Sequence, residues 1–308
     1  MITSFFLQPV PMILLTGALV AAAGALVGTF LVLQRNSMLS DAISHSIVFG
    51  IVVVWLLTYA KSGPVQILGA ALTGVLTVFL TELVAGTRRV KRDAAIGLVF
   101  PVLFAAGVLL LNLYARDVHI DTHTVLLGEI GFVWLDTLML GGLEIPQAVV
   151  WMSVVTLANL VFILVFYKEL KLATFDPQLA AALGFAPTAL FYALLALTST
   201  TAVAAFDAVG AVLFIAFVIV PPAAAYLLTD RLSLMLVYSV LIGIASSLSG
   251  YPVAVLFDVS VGGTMAAMTG VFFLAAFLLG PRHGLLGMEW RRRGKRTPDG
   301  PRGGTLGE

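Results

Sequence analysis

Long apolar runs repeat along the chain, separated by short stretches that hold most of its charges. Nine of them approach or exceed the roughly 20 residues that a helix needs to cross a bilayer, at about 10–33, 39–60, 64–84, 94–114, 146–167, 188–206, 208–228, 233–257 and 262–280. None shows the ten-residue alternation of a membrane β-barrel strand. The pattern therefore predicts an all-α polytopic membrane protein of about nine transmembrane helices. A tenth stretch, 125–144, is apolar but carries Glu129, Asp136 and Glu144 together with glycines at 128, 131, 141 and 142. It predicts a re-entrant or interfacial segment within about 117–145, because irregular backbone at membrane depth is tolerated only inside protein or beside a wet cavity.

Composition agrees with the pattern and narrows it. Of the 308 residues, 60% are hydrophobic and 11% charged, and the mean hydropathy is +1.06. A soluble domain is typically about a quarter charged, so an aqueous enzyme, a secreted factor and a nucleic-acid binder are excluded. The absence of cysteine removes disulfides, thiolate nucleophiles and thiolate metal sites. The net charge of +1 is uninformative, but its distribution is not. With the N-terminus outside, Lys61 and Arg116 alone among the 17 Lys and Arg residues face outward. The positive-inside rule then sets the topology as N-out, C-in. The first run has no cationic segment before it and is too long for a signal-peptide core, so it is expected to remain as a span. Residues 1–284 form the transmembrane domain on this reading. Residues 285–308, with RRRGKR and several Gly and Pro, form a disordered basic cytosolic tail suited to anionic lipid.

Ionisable groups inside a span cost at least about 2.5–3.5 kcal/mol at the helix centre, so each one needs a reason. Glu82 lies near Arg88 and Arg89 and reads as an ion-paired helix end. Asp207 and Asp258 fall near outer span ends, where water is close, and His283 falls at a cytosolic helix terminus. Asp41 and His45 differ from these. They stand four residues apart in MLSDAISHSIVFG, on one helix face, with Ser37, Ser44 and Ser46 adding oxygens nearby. The apolar run beyond His45 is short, so a span ending near Ala60 must begin near Asp41. Carboxylate plus imidazole suits a divalent transition metal, a self-satisfied pair, or a proton relay. Two ligands do not make a site, and a second helix or chain would have to complete it. A further cluster, Asp117, His119, Asp121, His123 and Glu129, occupies the outer loop after the fourth span. It reads as a cation-attracting or partner-docking mouth, or as a solvated loop. No P-loop, H-E-x-x-H or G-x-S-x-G occurs, so this chain carries no ATP site of that type and no common hydrolase signature.

Five stretches in order carry a resemblance: GTFLVLQRNSMLSDAISHSIVFGI (28–51), DAAIGLVFPVLFAAGVLLLN (93–112), HIDTHTVLLGEIGF (119–132), KELKLATFDPQLAAALGF (168–185) and AVGAVLFIAFVIVPPAAAYLLTDRL (208–232). Over about 12–282 the chain resembles the membrane permeases of ATP-binding-cassette importers for manganese, zinc and iron. The resemblance implies a type II fold, like that of the vitamin B12 importer, in a bacterial plasma membrane. It implies a dimer with a second copy or a sister permease, a cytosolic ATPase dimer, and an extracytoplasmic metal-binding lipoprotein. It also implies that Asp41 and His45 lie on the metal pathway, and that 168–185 is the coupling element. In that element Glu169, Phe175, Asp176, Pro177, Ala181 and Gly184 would meet the ATPase. No permanently bound cofactor is expected, only transported Mn²⁺, with Zn²⁺ or Fe²⁺ as alternatives. The segment's own chemistry fits a short rigid helix: Asp176 is placed to cap it, Pro177 to open it and Gly184 to close it. The double proline in VIVPPAAA (218–225) departs from the usual single proline and is expected to kink or break its helix. The rival of another class is a proton-coupled transporter or channel that acts without an ATPase.

Overall fold

The computed structural model describes residues 8–58, 64–114, 130–140, 143–280 and 284. Four long helices come first: α1 (Pro9–Leu33), α2 (Ser37–Thr58), α3 (Pro64–Gly86) and α4 (Arg92–Tyr114). A 3-10 turn (Ile130–Phe132) and a hairpin of β1 (Thr137–Leu140) and β2 (Leu143–Pro146) follow. The chain continues through α5 (Gln147–Val165), α6 (Tyr167–Phe175), α7 (Pro177–Ala182), α8 (Pro187–Leu228), α9 (Leu232–Phe257) and α10 (Val261–Leu279). Helix α8 comprises two spans, Pro187–Phe206 and Ala208–Leu228. Counting them separately, eight described helices are long and apolar enough to cross a membrane, and α3 adds the apolar stretch Ala71–Gly86. The order of the passes follows the nine runs in the sequence.

The bundle is built in the manner lipid demands. Its outer surface carries large apolar side chains such as Leu72, Val102, Leu256 and Leu279, while its interior holds many small and hydroxylated ones. Buried Ser and Thr return their hydroxyl protons to the carbonyl one turn earlier, as Thr77 does to Thr73 and Thr81 to Thr77. A few reach between helices: the Thr29 hydroxyl donates to Ser239 at 3.2 Å, and the Asn159 amide donates to Thr201 at 2.9 Å. Helix α1 is the most buried span and packs against α5, α8 and α9. Helices α2, α3 and α4 form a second group, joined to the first through α8.

The break in α8 lies at Gly210, with φ 76° and ψ 169°, a conformation open essentially to glycine. The chain turns sharply there. Phe206 and Phe214 meet edge to face at 5.6 Å, although eight residues of straight helix would separate their Cα atoms by about 12 Å. Pro221 and Pro222, expected to kink or break the helix, lie inside its second limb, so they do not end it. Neighbouring helices and local adjustments can re-satisfy the backbone groups that a membrane proline frees.

The segment expected to be re-entrant or interfacial ends, over its described part, in the 3-10 turn and hairpin. Thr137 pairs with Pro146 and Met139 with Glu144, and the Gln147 amide closes the hairpin onto the Asp136 carbonyl at 2.8 Å. Residues 117–129 lie outside the described residues, as do 285–308 of the tail.

Candidate functional site

The α1–α2 turn is tight, with Arg35 in the left-handed region at φ 58°, and it starts α2 at Ser37. Asp41 and His45 follow one and two turns in. The His45 Nε2 lies 3.5 Å from the Asp41 Oδ1, and the side chains remain 35% and 39% exposed, respectively. The contact is loose by hydrogen-bond standards, so both groups keep coordinating capacity. Together with the exposed Met38 they form a partly exposed stripe along α2.

Of the three serines expected to add oxygens nearby, Ser37 stands one turn before Asp41 on the same face and the other two turn away. Ser44 and Ser46 are buried and donate within α2, to the carbonyls of Ser40 and Ala42. Their offsets from Asp41 and His45 turn them toward the bundle. Ser37 supplies its backbone carbonyl to Ser40.

Helix α4 seats the imidazole from the side. The Phe100 ring stacks on His45 at 5.7 Å with an interplanar angle of 29°, and Phe104 meets it edge to face at 6.3 Å. The two helices approach closely just beyond, where a Cβ on Gly107 would come within 2.8 Å of the Phe49 backbone nitrogen. Sequence reasoning missed these aromatics; their signal is a pair of Phe residues four apart on a helix that must pack beside α2. Among the described residues no third His, Cys, Asp or Glu joins Asp41 and His45. A metal held here would need oxygens from backbone, water or another chain.

At the inner end of the bundle, the Asp176 Oδ1 accepts the Leu179 amide at 2.9 Å and caps α7, which Pro177 opens. Gly184, at φ 85°, ends it, and the amides of Gly184 and Phe185 close onto the carbonyls of Ala181 and Ala180. Phe175, Leu179 and Leu183 are exposed around this turn, although it lies outside the spans. Ala181 is exposed and Ala180 buried. Glu169 stands in the first turn of α6 with a buried Oε2. The Gln34 amide donates to the Thr174 hydroxyl at 3.2 Å, tying the end of α1 to α6. Beside that tie lies a cavity of about 440 Å³, lined by Gln34, Glu82, Arg92, Thr174 and Phe191 among others. Glu82 pairs there with Arg92, not with Arg88 or Arg89, and the Arg92 guanidinium lies 5.6 Å over the Phe191 ring. The α3–α4 turn, with Arg88 at φ 58°, reverses the chain and returns Arg92 to Glu82. Asp258 caps the end of α9 in the left-handed conformation, an exposed span end as expected.

The sequence matches the ABC 3 transport family over residues 7–280. The chain belongs to this family. It is similar to the manganese transport system membrane protein MntD of Bacillus subtilis, 49% identical over 275 residues that cover 89% of this chain and 93% of that one. It is also similar to the zinc transport system membrane protein TroD of Treponema pallidum, 48% identical over 274 residues, covering 89% and 75%. Among solved structures, PsaBC from Streptococcus pneumoniae in complex with Fab matches with a TM-score of 0.76 and 26% identity, covering 92% of this chain and 95% of that one. This ABC 3 chain is thus a membrane transport protein with the permease fold expected from its sequence.

Proposed function

We propose that this ABC 3 protein is the permease subunit of an ATP-driven importer that carries a divalent transition metal, manganese foremost. The observation that carries the reading is the Asp41–His45 pair: two ligating side chains, each over a third exposed, on one face of a span. A transit site has to bind weakly enough to release. Two protein ligands completed by water and by a second copy of the chain meet that need better than a closed cage. The manganese relative MntD and the zinc relative TroD are 49% and 48% identical to this chain, and a carboxylate–imidazole set accepts either metal. Zinc is therefore the second reading.

The solvent-facing turn from Glu169 through Phe175, Asp176, Pro177 and Ala181 to Gly184 serves as the seat of a cytosolic ATPase dimer. Its rigid cap and exposed apolar rim support that role. An extracytoplasmic binding protein would deliver metal to the outer mouth, for which Asp117, His119, Asp121, His123 and Glu129 supply the ligating groups. The permease performs no covalent chemistry. It alternates between two states that differ in their contacts with metal and partners.

Metal uptake by the reconstituted complex tests the reading. Manganese uptake that requires the ATPase and ATP, and that collapses in Asp41→Asn and His45→Ala complexes of normal assembly, is the expected result. Uptake without the ATPase would favour the proton-coupled rival.

A further inference from the structure

Helix α4 carries Pro101 in its interior. A proline has no amide hydrogen, so the carbonyl four residues earlier, that of Gly97, loses its regular helical donor. Gly97, Phe100, Pro101 and Phe104 fall at i, i+3, i+4 and i+7, on one face of the helix. This is the face that meets His45 through both phenylalanines.

Depth can be read from two contacts. His45 lies between Phe100 and Phe104, and Phe49, one turn on, lies against Gly107. Helices α2 and α4 therefore run parallel, and Gly97 falls about one turn below His45, at the level of Asp41. Helical carbonyls point toward the C-terminus, so the Gly97 oxygen is directed to the level between Asp41 and His45. Gly97 and Pro101 are both exposed, and a Cβ on Gly97 would meet nothing within 4 Å. Three groups that lipid cannot accommodate cheaply, a carboxylate, an imidazole and a freed carbonyl, thus lie at neighbouring depths on two packed helices, none of them fully buried.

We propose that the Gly97 carbonyl, freed by Pro101, is an oxygen ligand of the metal pathway beside Asp41 and His45. The inference rests on the reading of Asp41–His45 as a transit site and adds a selectivity element to it. A neutral backbone oxygen can replace part of an ion's hydration shell without holding it by charge. Hard oxygen donors suit Mn²⁺, whereas Zn²⁺ is well served by imidazole nitrogen and few ligands. The carbonyl therefore tilts an otherwise indifferent pair toward manganese.

The test uses the whole reconstituted transporter with Mn²⁺ and Zn²⁺ as probes. Pro101→Ala and Pro101→Gly each restore the amide donor and should raise the half-saturating Mn²⁺ concentration roughly tenfold, as loss of a supporting metal contact does. Zn²⁺ uptake should change by less than about twofold, because its preferred ligands remain. Phe104→Ala, which loosens the His45 seat but leaves the carbonyl free, should weaken both metals together. Unchanged Mn²⁺ uptake in both Pro101 variants, or parallel losses of the two metals, would overturn the proposal. A measurement on the unsubstituted protein guards against variants that fail to assemble. With glycine labelled at its carbonyl carbon, bound Mn²⁺ should show a carbon hyperfine coupling, and absence of that coupling is equally fatal. Normal uptake by Asp41→Asn would sink the transit site itself, whereas a defect there beside normal Pro101 variants would sink the carbonyl ligand alone.

Discussion

A carboxylate and an imidazole held 3.5 Å apart on an open helix face can exchange a proton, hold each other, or share a cation. The first two uses need no more than this chain, and the third needs further oxygens. Asp41→Asn preserves shape while removing charge, so it separates folding from ligation. Uptake should fall at least about tenfold in Asp41→Asn and in His45→Ala, with expression and assembly unchanged, measured as radiolabelled metal entering proteoliposomes. An imidazole ligates only through a free lone pair, so protons compete with metal for His45. Uptake should accordingly decline as the pH is lowered and His45 takes up a proton. The His45→Ala protein should lose that component of the pH profile. This pair was legible in the sequence because a charge in an apolar run stands out against its cost. Phe100 and Phe104 were not, because an aromatic in an apolar run offers no contrast. Glu82 illustrates a different limit: Arg88 and Arg89 are nearer in sequence, but the α3–α4 turn delivers Arg92.

Among the elements, the register of α2 on α4 matters most, and Gly107 sets it. Gly107→Val would force the helices apart at Phe49. Overpacking of this kind costs about 1–3 kcal/mol, so the solubilised protein should melt at a lower temperature and bind metal less tightly. The capped turn at Asp176 makes a contrasting case. Losing an N-cap costs about 1 kcal/mol, and α7 is a short surface helix, so Asp176→Ala should leave the bundle intact. Ala181→Arg places a bulky charge on the exposed side of α7 and should leave the permease folded while separating ATP hydrolysis from uptake. Parallel assays of both activities would show the separation, and unchanged coupling would remove the ATPase seat from this turn. The spans themselves were legible because hydrophobic length is a strong signal. The break in α8 was legible to within a few residues, since the runs 188–206 and 208–228 already part there; the residue that turns was not. The positive φ falls on Gly210, one of 29 glycines in the chain. Nothing in the letter alone distinguishes the one that turns.

For the whole molecule, sidedness organises function. Gln34, Glu82, Arg92 and Thr174 gather at one end of the bundle, the end to which the positive-inside rule assigns the cytosol. The topology expected from the sequence assigns Asp117 and Asp121 to the other side. If they draw cations to the outer mouth, neutralising both should lower uptake chiefly at scarce metal. The deficit should shrink with salt, since exposed charges are screened beyond about 8 Å at physiological ionic strength. Uptake curves at low and high salt would decide it, and superimposable curves would leave a solvated loop. The apolar rim of Phe175, Leu179 and Leu183 has a consequence for the life of the protein in the cell. Outside the spans and without a cover, it presents to water the kind of surface that chaperones and membrane proteases seize. A permease made in excess of its ATPase would advertise its solitude and be cleared, so the shape of one short turn would set subunit stoichiometry. Pulse–chase half-lives should lengthen when the ATPase is co-expressed.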